Sequence, residues 1–201
     1  MVARGAFGQF FKIENLNKLT PDIVKVVESH FKNIRDSQFL GEDKDWKKLD
    51  IGEMFCDVFS KVVQQILFDE QLAKIEGKHD LPSAIADYVN LSSRAGFSIS
   101  NLLSFELMNK FGLGKLCSTI DAMYAQITDT CWEQYNLRLK SGPKSGVNML
   151  DLLISQQKSG EITWTKDEIV GNFILLQFAG ADTSRTISQT LTYYLSDKPD
   201  F

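Results

Sequence analysis

Phe178-Ala179-Gly180-Ala181-Asp182-Thr183-Ser184 lies in the middle of what reads as the longest helix of the chain. A helix centre is a costly place for this composition. Glycine is about 1 kcal/mol worse than alanine inside a helix, and Asp, Thr and Ser compete for the backbone's hydrogen bonds. The helix around it has clear ends. Thr165 and Glu168 form a capping box, Trp164 and Ile169 have the spacing of a hydrophobic staple, and Asp167 and Glu168 suit the positive end of the helix dipole. Asp197, Lys198 and Pro199 stop it after Ser196. That is some 30 residues, or about 45 Å at the helical rise, long enough to cross most of a domain.

The rest of the chain reads as helices arranged around this one. Thr20-Pro21 predicts a helix start, and Ile23, Val24, Val26, Val27, Phe31 and Ile34 follow at helical spacing. Before it, residues 1–19 read as a helix tail and a bend. Asp50 and Glu53 predict a capped core helix carrying Phe55, Val58, Phe59, Val62, Val63, Ile66 and Leu67. Pro82 begins another, to about Ser93. Residues 94–117 are apolar and broken by Gly96, Gly112 and Gly114; such a connection is either a lid over a pocket or a loop packed on the core. Ser118 and Asp121 predict the start of a helix with Ile120, Met123, Tyr124, Ile127, Cys131, Tyr135 and Leu139 on one face, stopped by Ser141-Gly142-Pro143. Asn148 caps a short helix that Gly160 closes. No strand pattern, repeat or low-complexity segment interrupts this, so the fold class is all-α, a multi-helix array around one long central helix.

Composition narrows the functions. The chain is 43% apolar and 24% charged over 201 residues, as suits one globular domain or a large piece of one. Net charge is −4, with no basic block, which argues against nucleic acid as a partner. No apolar run is long enough to span a membrane, and no signal peptide is evident. Cys56, Cys117 and Cys131 form no C-x-x-C pair and read as reduced, buried small residues. His30 and His79 lie on polar stretches as surface or half-buried residues. No metal site is expected from these residues.

Small side chains at Ala179 to Ser184 allow a flat ligand to approach the backbone. Thr183 stands four residues after Ala179, so its hydroxyl can reach that carbonyl, loosening the turn and opening a groove. With Asp182 beside it as a proton source, the turn suits a proton relay next to a flat cofactor. The competing reading is a Gly and Ala patch where another helix crosses closely.

Ala179-Gly180-x-Asp182-Thr183-Ser184 resembles the central-helix signature of cytochromes P450, A/G-G-x-D/E-T-T/S, at every specified position. Asn148-Met149-Leu150-Asp151-Leu152-Leu153 is similar to the D-x-L-D-L-L run that precedes that helix in the family, and Leu195 to Asp200 is similar to the turn after it. Upstream, Phe11, Leu16, Leu19 and Pro21 resemble the region after the family's C helix, where an Arg seven residues before the Phe contacts a haem propionate; that position is Arg4. In this alignment residues 94–117 fall in the substrate-channel lid. The resemblance implies a haem-thiolate monooxygenase of microsomal type, at the cytosolic face of the endoplasmic reticulum membrane. It would hydroxylate a small apolar organic substrate with O2 and electrons from a reductase. It gives Asp182 and Thr183 the proton relay, Ala179 and Gly180 the space above the haem, and Phe173, Leu176 and Gln177 the border of the substrate.

The chain departs from the family in lacking the E-x-x-R helix and the F-x-x-G-x-x-x-C-x-G loop, whose Cys ligates the iron. Phe111, Gly114 and Cys117 come near that loop but miss its spacing. Residues 1–201 are therefore expected to be a partial domain, an internal segment or a truncated gene product that is inactive alone. The alternatives are a non-catalytic helical interaction module and a decayed, truncated P450.

Overall fold

The computed structural model describes residues 8, 10–36, 49–69, 81–97, 115–143, 148–160 and 163–198. Among these the chain forms the helices α1 Ile13–Ile34, α2 Ile51–Phe68, α3 Leu81–Phe97, α4 Lys115–Ser141, α5 Met149–Ser159 and α6 Lys166–Ser196, and no strand. The all-α expectation is met. The chain divides into two compact units, one of Met1–Gln71, Ser141–Trp164 and Ala179–Phe201, the other of Leu72–Lys140 and Thr165–Phe178.

In the first unit α2 is the element on which α1 and α5 pack. After Glu53 no residue of α2 is exposed, and Val58, Val63, Leu67 and Phe68 are buried. Its ends are set locally. The Asp50 side chain accepts the Glu53 N–H at 3.0 Å, and the chain leaves through Asp69 in the left-handed region (φ 58°), where an Asp side chain is tolerated. α5 is held the same way: the Asn148 amide oxygen accepts the Asp151 N–H at 2.8 Å, and its amide nitrogen donates to the Asp151 carboxylate at 2.8 Å. Gly160 closes α5 at φ 75°, a conformation that favours glycine.

Two predicted starts fall too late. α1 begins at Ile13, with Pro21 inside it, not at Thr20. Leu19, buried, continues the stripe of Ile23, Val26 and His30 one turn upstream, so burying it requires helix before the proline. The Thr20 hydroxyl turns back to the Leu16 carbonyl (3.0 Å) instead of capping. The same stripe carries His30 inside, at 7% exposure, deeper than the surface or half-buried place its polar neighbours suggest. Val24 and Phe31 point outward.

In the second unit α4 begins at Lys115 and not at Ser118, because Cys117, wholly buried, belongs to its inner face with Ile120, Ile127, Cys131 and Tyr135. Arg138, not Leu139, takes the next buried position. α3 runs to Phe97, further than its predicted end near Ser93. Tyr88 of α3 meets Tyr124 of α4 at 5.6 Å between rings. Lys166, at the start of α6, reaches Asp129 (3.5 Å) and lies over the Trp132 ring. Of the proposed lid, residues 98–114 lie outside the described residues, as does His79.

Candidate functional site

The start of α6 is the capping box expected from Thr165 and Glu168. The Glu168 N–H donates to the Thr165 hydroxyl oxygen at 3.2 Å, and the Thr165 N–H and hydroxyl both donate to the Glu168 carboxylate at 2.9 Å. Those bonds hold the Glu168 carboxyl below its usual range. From there the helix is α-helical without interruption to Ser196.

The signature turn is thus regular, and the predicted groove does not open. Thr183 does make the predicted bond: its hydroxyl donates to the Ala179 carbonyl at 2.6 Å. It is one of several. Thr186 donates to Asp182, Thr190 to Thr186 and Thr192 to Ser188, at 2.8 to 2.9 Å. Back-bonding of this kind leaves the α-helical ladder in place here, and it orients each hydroxyl. The Thr183 proton is directed to the backbone, so its oxygen offers only lone pairs outward. Thr183 and Ala179 are both exposed, one turn apart.

Asp182 is half-buried and forms an ion pair with Arg185 one turn on, Oδ1 to Nη2 at 2.7 Å. Pattern reading of the signature missed Arg185, although its i+3 spacing from an acid was available as a signal. Gly180 faces inward: a Cβ built there would stand 2.8 Å from Cγ2 of Val63 on α2. The competing reading of the small-residue patch therefore describes Gly180, while Ala179 and Thr183 remain open. Nine residues on, the Gln189 amide occupies the place a side chain at Gly52 would need. Among the remaining named residues, Phe173 and Gln177 are buried and Leu176 is half-buried. Arg4 lies outside the described residues.

Residues 4–201 match the family model for cytochrome P450. The chain belongs to the cytochrome P450 family. No curated protein and no solved structure is detectably similar to it. Members of the family are haem-thiolate monooxygenases, so haem is the cofactor the family implies. The exposed turn suits one face of such a group: the Ala179 methyl and the Thr183 side chain present little bulk, and Gly180 is turned away. The thiolate side finds no counterpart in the described cysteines. Cys117 and Cys131 are wholly buried, and burial pushes the Cys131 thiol up to about 12, which keeps it protonated. Cys56 is half-buried on α2. Among the described residues no cluster of His, Cys, Asp or Glu could hold a metal ion, and no helix is long and apolar enough to cross a membrane.

Proposed function

We propose that this chain supplies the distal wall of a haem monooxygenase site and that its signature turn delivers protons there. The reaction class is hydroxylation of a small apolar organic substrate by O2, with electrons from a reductase. Residues 1–201 would form part of one P450 domain, at the cytosolic face of the endoplasmic reticulum membrane. The observation that carries the reading is the Thr183 hydroxyl, held by the Ala179 carbonyl on an exposed turn beside a half-buried carboxylate.

Haem, held beside the turn of Ala179 and Thr183, would supply dioxygen binding and O–O cleavage. This chain's residues handle the protons. Thr183 Oγ1, its own proton directed to Ala179, accepts a hydrogen bond from a water on the outer side of the turn. Asp182, in part solvent-accessible, takes protons from bulk water and passes them towards that water. Arg185 fixes the carboxylate's orientation through the 2.7 Å contact and so limits its swing. Ala179 makes room by its small side chain, and Gly180 does so by allowing the helix to settle against Val63. Phe173, Leu176 and Gln177 would border the substrate, and Arg4 would contact a haem propionate.

Electron partition tests the relay. In the haem-loaded, reductase-coupled protein, Thr183→Ala should send a larger share of electrons to peroxide, while Thr183→Ser, which keeps the hydroxyl, should retain most of the coupling. Equal partition in all three proteins would remove Thr183 from proton delivery. The Gly180–Val63 contact supports a second reading, a non-catalytic helical module in which the turn serves packing. In that case Thr183→Ala changes stability alone.

A further inference from the structure

His30 of α1 is the one described histidine, and it is buried against α2. Its Nδ1 stands 3.3 Å from Lys61 Nζ and 3.3 Å from Asp57 Oδ2, both on α2, and these two pair with each other at 2.7 Å. Its Nε2 is buried without a hydrogen bond of normal geometry. Phe31 packs edge-on to the ring, with centroids 5.9 Å apart. The proton relay assigned to α6 does not use this cluster.

Either neutral tautomer is satisfied at Nδ1, which accepts from Lys61 or donates to Asp57. The doubly protonated ring carries one proton at each nitrogen. The one at Nδ1 faces both the Asp57 carboxylate, which accepts it, and the Lys61 ammonium, which opposes it, each at 3.3 Å. The one at Nε2 is a buried donor without an acceptor of normal geometry. The charge is placed where the ring is withdrawn from water. The groups bearing on the ring act in this order: burial and then Lys61 oppose the proton, while Asp57 and then the Met54 backbone favour it, and the outcome is a pKa below the ordinary histidine value.

We propose that His30, Asp57 and Lys61 form a proton-sensitive clasp between α1 and α2, closed when His30 is neutral and loosened when it takes a proton. The sign follows from linkage. A base whose folded pKa is depressed contributes its full stability above the unfolded pKa. That contribution shrinks as pH falls below about 6.5, until the folded pKa is passed. A mildly acidic compartment or surface would thus weaken the docking of α1.

The test is hydrogen exchange of the α1 amides in the 201-residue chain between pH 7.5 and 5, corrected for intrinsic exchange. It is read together with the NMR titration of the His30 ring, one of two histidines in the sequence. One proton limits the effect to at most about tenfold in the opening equilibrium per pH unit below about 6.5. The wild type should lose α1 protection over that range, and His30→Gln should be flat. Constant protection in the wild type, or an equal loss in His30→Gln, overturns the proposal. Should His30→Gln fail to fold, Lys61→Met should shrink the loss and Asp57→Asn should enlarge it. The reverse order, or no difference between them, also overturns it.

Discussion

Gly180→Ala separates a packing glycine from an open one by the sign of its effect. On an open helix surface the substitution stabilises by about 1 kcal/mol, the difference in helix propensity. Here the new Cβ would stand 2.8 Å from Val63 Cγ2, while Cγ1 is clear at 4.0 Å. Val63 is buried and sits in α2, where a β-branched side chain has one strongly preferred rotamer. It cannot swing its methyl aside cheaply, so the helices must part or the rotamer must strain, at roughly 1–3 kcal/mol for overpacking. The net expectation is a loss of about 0–2 kcal/mol. Urea unfolding of Gly180→Ala, Val63→Ala and the double variant closes a cycle. In the Val63→Ala background the Gly180→Ala change should turn stabilising, with a coupling of roughly 1–3 kcal/mol. A stabilised single variant, or a coupling within about 0.5 kcal/mol of zero, would refute the contact and with it the account of why this turn holds a glycine.

Other perturbations follow from the same structure. Glu168 has a lowered folded pKa, so its capping contribution is present above its ordinary value of 4.5 and is lost as pH falls through the folded pKa. Exchange of the first-turn amides of α6 should rise over that range, and Glu168→Gln should abolish the dependence; an unchanged profile would contradict the cap. Cys131, with its thiol near 12 and no exposure, should resist alkylation at neutral pH while half-buried Cys56 reacts first. Equal rates in the folded protein would contradict that ranking.

What the sequence revealed was mostly local. The caps at Asp50, Asn148 and Thr165 were legible because each joins a side chain to a backbone N–H three residues on. The Thr183 bond to Ala179 was legible because helical geometry alone brings positions four apart together. The starts of α1 and α4 were not legible. Thr20-Pro21 and Ser118 are good local signals, but the burial of Leu19 and Cys117, a tertiary effect, extends each helix past them. The polar neighbours of His30 suggest a surface or half-buried place, and only the facing Asp57 and Lys61 explain its full burial. At the signature turn the pattern identified the residues but not their division of labour. Gly180 packs on Val63 and Asp182 pairs with Arg185, and the first of these partners is distant in sequence.

The proposed distal wall implies that the haem iron takes its thiolate from none of Cys56, Cys117 and Cys131. Haem titrated into the 201-residue chain, reduced under carbon monoxide and followed in the Soret region, tests it most directly. No thiolate-type band is expected, with or without Cys56→Ser, because Cys117 and Cys131 are buried and Cys131 is held as a neutral thiol. A thiolate-type band that disappears on replacing any one of the three cysteines would contradict it.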